Sequence, residues 1–425
     1  VADEAQPTEQ TSCSSSPAIS VAEARAIIRN RLKSVGETED VVLDQALGRV
    51  LAADIASPVQ MPRFDNSAMD GYAVRGADLT DVNSLVRLRL VAHSKAGAPW
   101  LGVLNAGEAV QIATGAAIPE GADTVVVLEH ATTDGQTVSL KTNTQKGANI
   151  RRAGEEFQRG DCAMPAGTWL GPAEIGSLAN LGVSTVRVKR RLTVAVCSTG
   201  DELVSLADSD GAELRSGEIY DSNRYMIRAA LERFGVEVID AGLIPDNLED
   251  TRAAFTRLSE VSDLVVSSGG ASGSDTDFVG RVVEELGELL FWRVEMKPGR
   301  PLLCGKIGES VLFGLPGNPV AAMVGVYQFV LPALRLLMGC SSIETPTFKV
   351  RSVAAICKPA GRTDFRRGVL RTGSDGQLEV ESMGSQSSAR LSSITAANCF
   401  VVLGPSTETV DAGEWVDVQA FHGLV

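Results

Sequence analysis

The sequence predicts a multi-domain chain of α/β plus β class, in which a doubly wound, mostly parallel α/β domain lies between two β-rich segments. Three observations predict it. The chain has 425 residues, more than one ordinary core holds, because domains cluster at about 100–200 residues. From Leu192 to Met338 short apolar runs alternate with amphipathic stretches, the pattern of buried strands joined by crossover helices. On either side, at 85–145 and beyond Thr345, apolar and polar residues alternate between turn signals, the pattern of strands.

Composition narrows the function classes. Hydrophobic residues at 44% and charged residues at 22% match a folded soluble chain. Lys+Arg 39 against Asp+Glu 53 leaves a net charge of −14, which speaks against nucleic-acid or anionic-membrane partners; an anionic substrate must meet local positive charge. Seven cysteines without a C-x-x-C pair suggest neither a zinc site nor a disulfide framework, and fit a reducing cytoplasm. The three histidines, His93, His130 and His422, have no ligand-like spacing.

Residues 1–17, "VADEAQPTEQTSCSSSP", are polar, lack the basic start and apolar centre of a signal peptide, and read as a disordered tail. "ISVAEARAIIRNRLK" follows as a helix, with Ser20 as N-cap and Glu23 three residues on. "VRLRLVAHS", "AVQIATG", "DTVVVLEH" and "QTVSLKT" then read as strands of a small β-domain. "GPAEIGSLANLG" is a short helix, and "STVRVKRRLTVAVCSTG" passes through a basic hinge into a buried strand.

The α/β block places strands in "LTVAVCSTGDE", "EVIDAGLIPD", "DLVVSSGG", "FWRVEMKPGRP" and "SVLFGLPGNP". Helices fall in "DSNRYMIRAALERFG", "DTRAAFTRLSE", "DFVGRVVEELG" and the run to Met338. That last run is uncharged from Pro319 to Leu334 but includes Gln328 and Pro332, and it falls short of the roughly 18–20 residues of a membrane span. It reads as a buried helix. "FKVRSVAAI", "DFRRGVLRTG", "QLEVESM", "NCFVVLG" and "EWVDVQAF" close the chain as a small barrel or sandwich.

In an open α/β sheet, ligands collect beyond the carboxyl ends of the strands. Four such ends are unusual here: Ser198 to Glu202, Ser267 to Asp277, Lys297 to Pro301 and Gly314 to Pro319. Gly, Ser and Pro are also ordinary turn residues, so it is their coincidence on one edge that points to a site. "GLPGNPVAAM" reads as a helix start with Asn318 as N-cap and Pro319 as first residue, its free N–H groups facing an oxyanion. "KPGRP" sets Lys297 and Arg300 on a stiff turn, suited to clamping a dianion. "SSGGASGSDTDF" lacks the lysine of a P-loop. It offers backbone donors at Gly269, Gly270 and Gly273, hydroxyls at Ser267, Ser268, Ser272 and Ser274, and carboxylates at Asp275 and Asp277. A lone Asp before a helix is usually a cap, whereas two carboxylates beside an anion cradle suit Mg²⁺, with Asp201 and Glu202 as further ligands.

Taken together, several stretches resemble the molybdopterin molybdenumtransferase family, bacterial MoeA-type proteins and the gephyrin E domain. They are "PRFDNSAMDGYAVR" (62–75), "IATGAAIPEGADTVV" (112–126), "IRRAGEEFQRGD" (150–161), "CSTGDEL", "IYDSNR" (219–224), "SSGGASGSDTDF", "KPGRP" and "GLPGNPVAA". The resemblance implies an N-terminal linker domain built from 18–60 and 147–187, an inserted β-rich domain at 61–146, an α/β molybdopterin-binding domain at 188–340 and a C-terminal β-barrel at 341–425. It also implies a cytoplasmic homodimer whose cleft lies between domains of the two subunits. Its substrates are adenylyl-molybdopterin and molybdate, used with Mg²⁺, and AMP is released as molybdenum enters the dithiolene.

The resemblance carries catalytic roles to Asp70, Thr114, Glu156, Glu202, Asp221 and Asp277, substrate contacts to Lys297, Pro316 and Pro319 with Gly317 between them, and molybdate contacts to Arg362, Arg367 and Ser388. The chain departs from the family at three places: Glu156 stands where "GED" ends in aspartate, Arg300 replaces the second lysine of "KPGK", and Gly273 sits one place early in its loop. The resemblance further implies contact with the molybdopterin adenylyltransferase and with recipient molybdoenzymes. Two other readings remain open: an adenylyltransferase using the same cleft, and a non-catalytic dimeric scaffold.

Overall fold

The computed structural model describes residues 17–79, 85–141, 143–207, 213–270 and 278–421. The tail expected at 1–17 therefore lies outside the described residues except for Pro17. The expected capping box forms: the Ser20 N–H donates to Glu23 Oε2 at 2.8 Å and the Glu23 N–H to Ser20 Oγ at 3.1 Å, satisfying two donors that a helix start leaves open. The helix it starts, α1 (Val21–Arg31), buries Val21, Ala24 and Ile28 in the core of the α/β domain.

Strand β1 (Thr38–Val42) pairs antiparallel with a segment met much later, and the chain first builds a separate six-stranded sheet. Its strands are β2 (Gly71–Val74), β3 (Leu85–Ser94), β4 (Glu108–Ile112), β5 (Thr124–Val127), β6 (Ala131–Thr133) and β7 (Thr137–Lys141), in the order β5-β2-β4-β3-β7-β6. Apolar residues on its two faces fill two small cores, one around Tyr72 and Val126, the other around Ala73 and Val125. The chain returns through α2 (Pro172–Asn180) to β8 (Thr185–Lys189), the partner of β1, over a core that includes Val41, Leu51, Leu170, Leu178 and Val188.

The α/β domain follows, with β9 (Thr193–Thr199), α3 (Asn223–Glu232), β10 (Glu237–Ile244), α4 (Leu248–Val261), β11 (Leu264–Ser268), α5 (Phe278–Leu286) and β12 (Glu288–Trp292). Then come β13 (Met296–Lys297), β14 (Leu303–Ile307), β15 (Ser310–Leu315) and α6 (Pro319–Leu337). The sheet order is β10-β9-β11-β15-β14-β12, parallel through the first four and antiparallel at β14 and β12. Strand residues divide between two cores as the pleat requires. Val194, Val196, Val266 and Phe313 face α1, α3 and α6, whereas Ala195, Cys197, Val265 and Leu312 face α4 and α5. Helices on both faces are why these strands read as unbroken apolar runs.

Two features depart from the sequence expectation. "FWRVEMKPGRP" is not one strand: the backbone turns at Arg293, a non-glycine at φ 67°, so β12 stays in the α/β sheet while β13 leaves it. β14, which lacks alternation because its residues are buried, forms an unforeseen hairpin with β15. Helix α6 contains one π-helical turn, Val326–Val330. Contrary to the expected shortfall it is, at 19 residues, long and apolar enough to cross a membrane, yet it is mostly buried within the protein, the buried helix that the sequence suggested.

The C-terminal strands β16 (Phe348–Ser352), β17 (Thr363–Thr372), β18 (Leu378–Ser382), β19 (Cys399–Leu403) and β20 (Trp415–Ala420) close into a barrel in the order β17-β18-β16-β20-β19, with β19 pairing back to β17. β13 adds to β17 in parallel, Met296 opposite Thr363 and Lys297 opposite Asp364. Among the described residues the cysteines are all free thiols; burial pushes that of Cys197 up to about 12.

Candidate functional site

The parallel strands end on one edge, and the order of connection reverses between β9 and β11, the position where such sheets open a crevice. There the two strand ends touch. A side chain on Gly269 would put its Cβ 2.2 Å from the Thr199 carbonyl, and its φ is 90°, so only glycine fits. The Gly269 N–H donates to the Leu315 carbonyl at 3.0 Å. Gly269 is therefore a spacer that lets three strand ends converge, not the ligand donor expected of it, while Gly270 lies one residue further out.

Asn223, the first residue of α3, fastens this edge. Its Nδ2 donates to Ser268 Oγ at 2.7 Å and to the Gly317 carbonyl at 2.7 Å. The buried Thr199 Oγ1, Ser267 Oγ and Asn223 Oδ1 have no hydrogen-bond partner. Unpaired polar atoms are rare inside proteins, and three are gathered at this one sheet edge. Asn223 was not foreseen, although it lies within "IYDSNR". Asp221 does not reach the cleft as a catalytic carboxylate would. It is 1% exposed, accepts from Ser198 Oγ at 3.1 Å and pairs with Arg224 at 2.8 Å, so it fixes the start of α3.

On the β9 side Asp201 and Glu202 are exposed, and Asp246, just past β10, donates its N–H to Asp201 Oδ1 at 3.4 Å. Burial, with the charges of Asp201 and Glu202, holds the Asp246 carboxyl above the usual range. This crowding of carboxylates suits a divalent cation that takes one or two carboxylates alongside phosphate oxygens. The described residues alone supply no group of three or more such ligands arranged for a metal. Ser272, Asp275 and Asp277, expected to contact substrate and metal, lie outside the described residues, as does Gly273.

On the β15 side Pro316 is buried and Gly317 and Asn318 are exposed. Asn318 precedes α6 and Pro319 begins it, as expected, but the Asn318 side chain makes no capping bond. The Val320 N–H is occupied too, donating to the Ser388 carbonyl at 3.0 Å. That contact places Ser388, from the barrel, at the start of α6. "KPGRP" packs against the same turn: Gly299, at φ 101°, would put a Cβ 3.3 Å from the Ala321 carbonyl. Lys297 and Arg300 are exposed here. Arg300 and Arg362 both bond Glu295, at 2.9 and 3.0 Å.

Arg367 corrects an expectation. It is 1% exposed and donates to Ser393 Oγ at 3.2 Å and to the carbonyls of Ser387 and Ser385 at 3.1 and 3.4 Å. Buried beneath the 385–393 loop, on the strand face it shares with Phe365, it holds the loop that carries Ser388 and does not face an oxyanion.

A second set of expected site residues sits on the inserted domain. Asp70 accepts from the Thr114 N–H at 2.7 Å and Thr114 Oγ1 at 3.0 Å, which keep its carboxyl below the usual range. Both residues are exposed, as is Glu156. Neither Asp70 nor Thr114 bonds to the α/β loops among the described residues.

Family models match in chain order: the MoeA N-terminal region (domain I and II) at 19–182, a probable molybdopterin binding domain at 195–336 and the MoeA C-terminal region (domain IV) at 349–421. A molybdopterin molybdenumtransferase of Haemophilus influenzae is 40% identical over 405 residues, 95% of this chain and 98% of that protein. The chain belongs to the molybdopterin molybdenumtransferase (MoeA) family. Enzymes of the same name from Nostoc sp. and Bacillus subtilis are 37% and 34% identical, over 94% and 90% of this chain and 93% and 90% of their own. The crystal structure of a molybdopterin biosynthesis moeA protein from Pyrococcus horikoshii OT3 superposes with TM-score 0.79 at 27% identity, covering 95% of this chain and 100% of that one. The MoeA-family match spans the inserted sheet, the α/β edge and the barrel alike, so the two sets of exposed polar residues belong to one architecture.

Proposed function

We propose that this chain is a transferase that inserts molybdenum from molybdate into adenylyl-molybdopterin, releasing AMP and forming the molybdenum cofactor. The observation that carries the reading is the convergence, on one sheet edge, of an Asn-fastened group of buried polar atoms, a carboxylate cluster and a cationic loop stitched to the barrel. The name shared by relatives along nearly the whole chain supports it.

In this reading the substrate's phosphates lie against the loops after β11 and β15, where Ser268, Gly270, Gly317 and Asn318 supply polar contacts. Lys297, Arg300 and Arg362 draw molybdate in. Asp201 and Glu202, beside Asp246 and together with Asp275 and Asp277, would hold Mg²⁺, which would supply positive charge to the phosphate oxygens. The work is positioning and electrostatics, without a protein nucleophile. Asp70, Thr114 and Glu156 act from a second copy of the chain, since among the described residues of one chain neither Asp70 nor Thr114 bonds to the α/β loops; the functional unit is a homodimer. The site of action is the cytoplasm, with the molybdopterin adenylyltransferase upstream and molybdoenzymes downstream.

Purified protein given the adenylylated pterin should release AMP only when molybdate and Mg²⁺ are both present. Formation of the adduct from molybdopterin and ATP would instead favour the adenylyltransferase reading, and binding without turnover would favour the scaffold.

A further inference from the structure

Glu295 lies where three parts of the chain meet. Its N–H donates to the Ile19 carbonyl at 2.7 Å and its carbonyl accepts from the Thr363 N–H at 3.1 Å, so the backbone is held between the N-terminal segment and the barrel. Its two carboxylate oxygens are divided between two arginines. Oε1 accepts from Arg300 of the "KPGRP" turn at 2.9 Å, and Oε2 accepts from Arg362 of the barrel at 3.0 Å. The three side chains are 29–46% exposed, so the pairs are reachable from solvent and screened by it.

We infer that Glu295 is a specificity-determining residue for the oxyanion: a built-in counter-charge that weakens the Arg300–Arg362 clamp in proportion to the charge of the anion entering it. This rests on the molybdate reading above. Two guanidiniums and one carboxylate leave a net charge of +1; without the carboxylate the clamp is +2. Each guanidinium has five N–H donors, so the bonds to Glu295 orient the pair yet leave donors for a ligand. The repulsion between Glu295 and an arriving anion is linear in the anion's charge. The factor gained by removing it for a dianion is therefore the square of the factor for a monoanion of the same tetrahedral shape.

The test uses the full-length protein, its E295Q variant, which keeps the shape and loses the charge, and E295D, which keeps the charge. Molybdate serves as dianion and perrhenate as monoanion. In molybdate-dependent AMP release at low ionic strength, E295Q should reach half-saturation at about 3–10-fold less molybdate. The perrhenate inhibition constant should fall only by about the square root of that factor, both gains should shrink as salt is added, and E295D should keep the wild-type ratio between the two anions. An E295Q that needs the same or more molybdate, equal factors for both anions, or an E295D that behaves as E295Q would overturn the inference. Melting temperatures separate these results from misfolding, and E295D carries the comparison of anions if E295Q melts early. Wild-type protein that shows no response to molybdate would instead remove the functional reading and this inference with it.

Discussion

The Asn223 side-chain amide donates to the Gly317 carbonyl at 2.7 Å, with its second proton on Ser268 Oγ. A carbonyl only accepts, so the orientation of the amide is set by chemistry, and one side chain at the start of α3 fixes the spacing of the ends of β11 and β15 beside the crevice. Asn223→Ala should raise the half-saturating concentration of the adenylylated pterin about tenfold, the loss of roughly one hydrogen bond of this kind, with a smaller effect on turnover. Asn223→Asp keeps an acceptor for the Ser268 hydroxyl but sets a carboxylate oxygen against the Gly317 carbonyl, and should do no better than alanine. Steady-state AMP release with a thermal melt as control decides it; a wild-type KM in both variants would remove the role.

Asp246 gives a dependence on pH. A carboxyl whose folded value is raised binds its proton more tightly folded than unfolded. Its stabilising effect is present below the ordinary value of 3.8 and is lost as pH climbs through the raised one. Asp246→Asn should therefore melt higher than wild type at neutral pH and lose less stability as pH rises from 4. Mg²⁺ should raise the Tm of wild type more than that of the variant. Melts over a pH series with and without Mg²⁺ read both, and parallel curves would show that Asp246 neither carries strain nor faces the cation.

Asp70 and Lys297 should complement across chains. Asp70→Ala and Lys297→Ala are each expected to be inactive. Mixed by co-expression, half the dimers are mixed by chance and each holds one intact site, so about a quarter of wild-type sites return. Absence of recovery in verified mixed dimers would place both residues in the same chain's site.

Arg367 should matter to stability first. Arg367→Met leaves the carbonyls of Ser385 and Ser387 and the Ser393 hydroxyl short of donors beneath the 385–393 loop, at a cost of about 2–4 kcal/mol. Urea unfolding measures it. Through the shifted loop bearing Ser388 the molybdate requirement should rise as well. A variant of unchanged stability would mean that water replaces the guanidinium.

Much of this architecture is legible in the residues, for reasons that also explain the gaps. The strands of the inserted sheet and barrel alternate, and β9, β11 and β15 are apolar because both faces are covered, so each stands out against turn residues. Ser20 and Glu23 announce α1 because a capping box needs only local chemistry. The loops at Gly269 and Gly299 are conspicuous because tight backbone approach demands glycine. What escapes is direction and partnership. Nothing in "DFRRG" says that Arg367 is buried beneath a loop from further along the chain while Arg362, just ahead of that run, stays exposed, since only the folded barrel brings that loop over it. Asp221 looks like a catalytic carboxylate until its partner Arg224 is seen to neutralise it. Asn223 and Asp246 pass for ordinary helix and turn residues until the sheet order brings their neighbours together.

The pairing of Met296–Lys297 with Thr363–Asp364 also bears on how such a chain can be recombined. The last rung of the barrel is encoded before α6, so the seam between modules in space does not coincide with any single cut in the gene. A chimera joined after Met338 would ask one parent's barrel to accept the other parent's "KPGRP" turn, register and all. Grafts between relatives should therefore succeed only when residues 293–301 travel with the C-terminal domain.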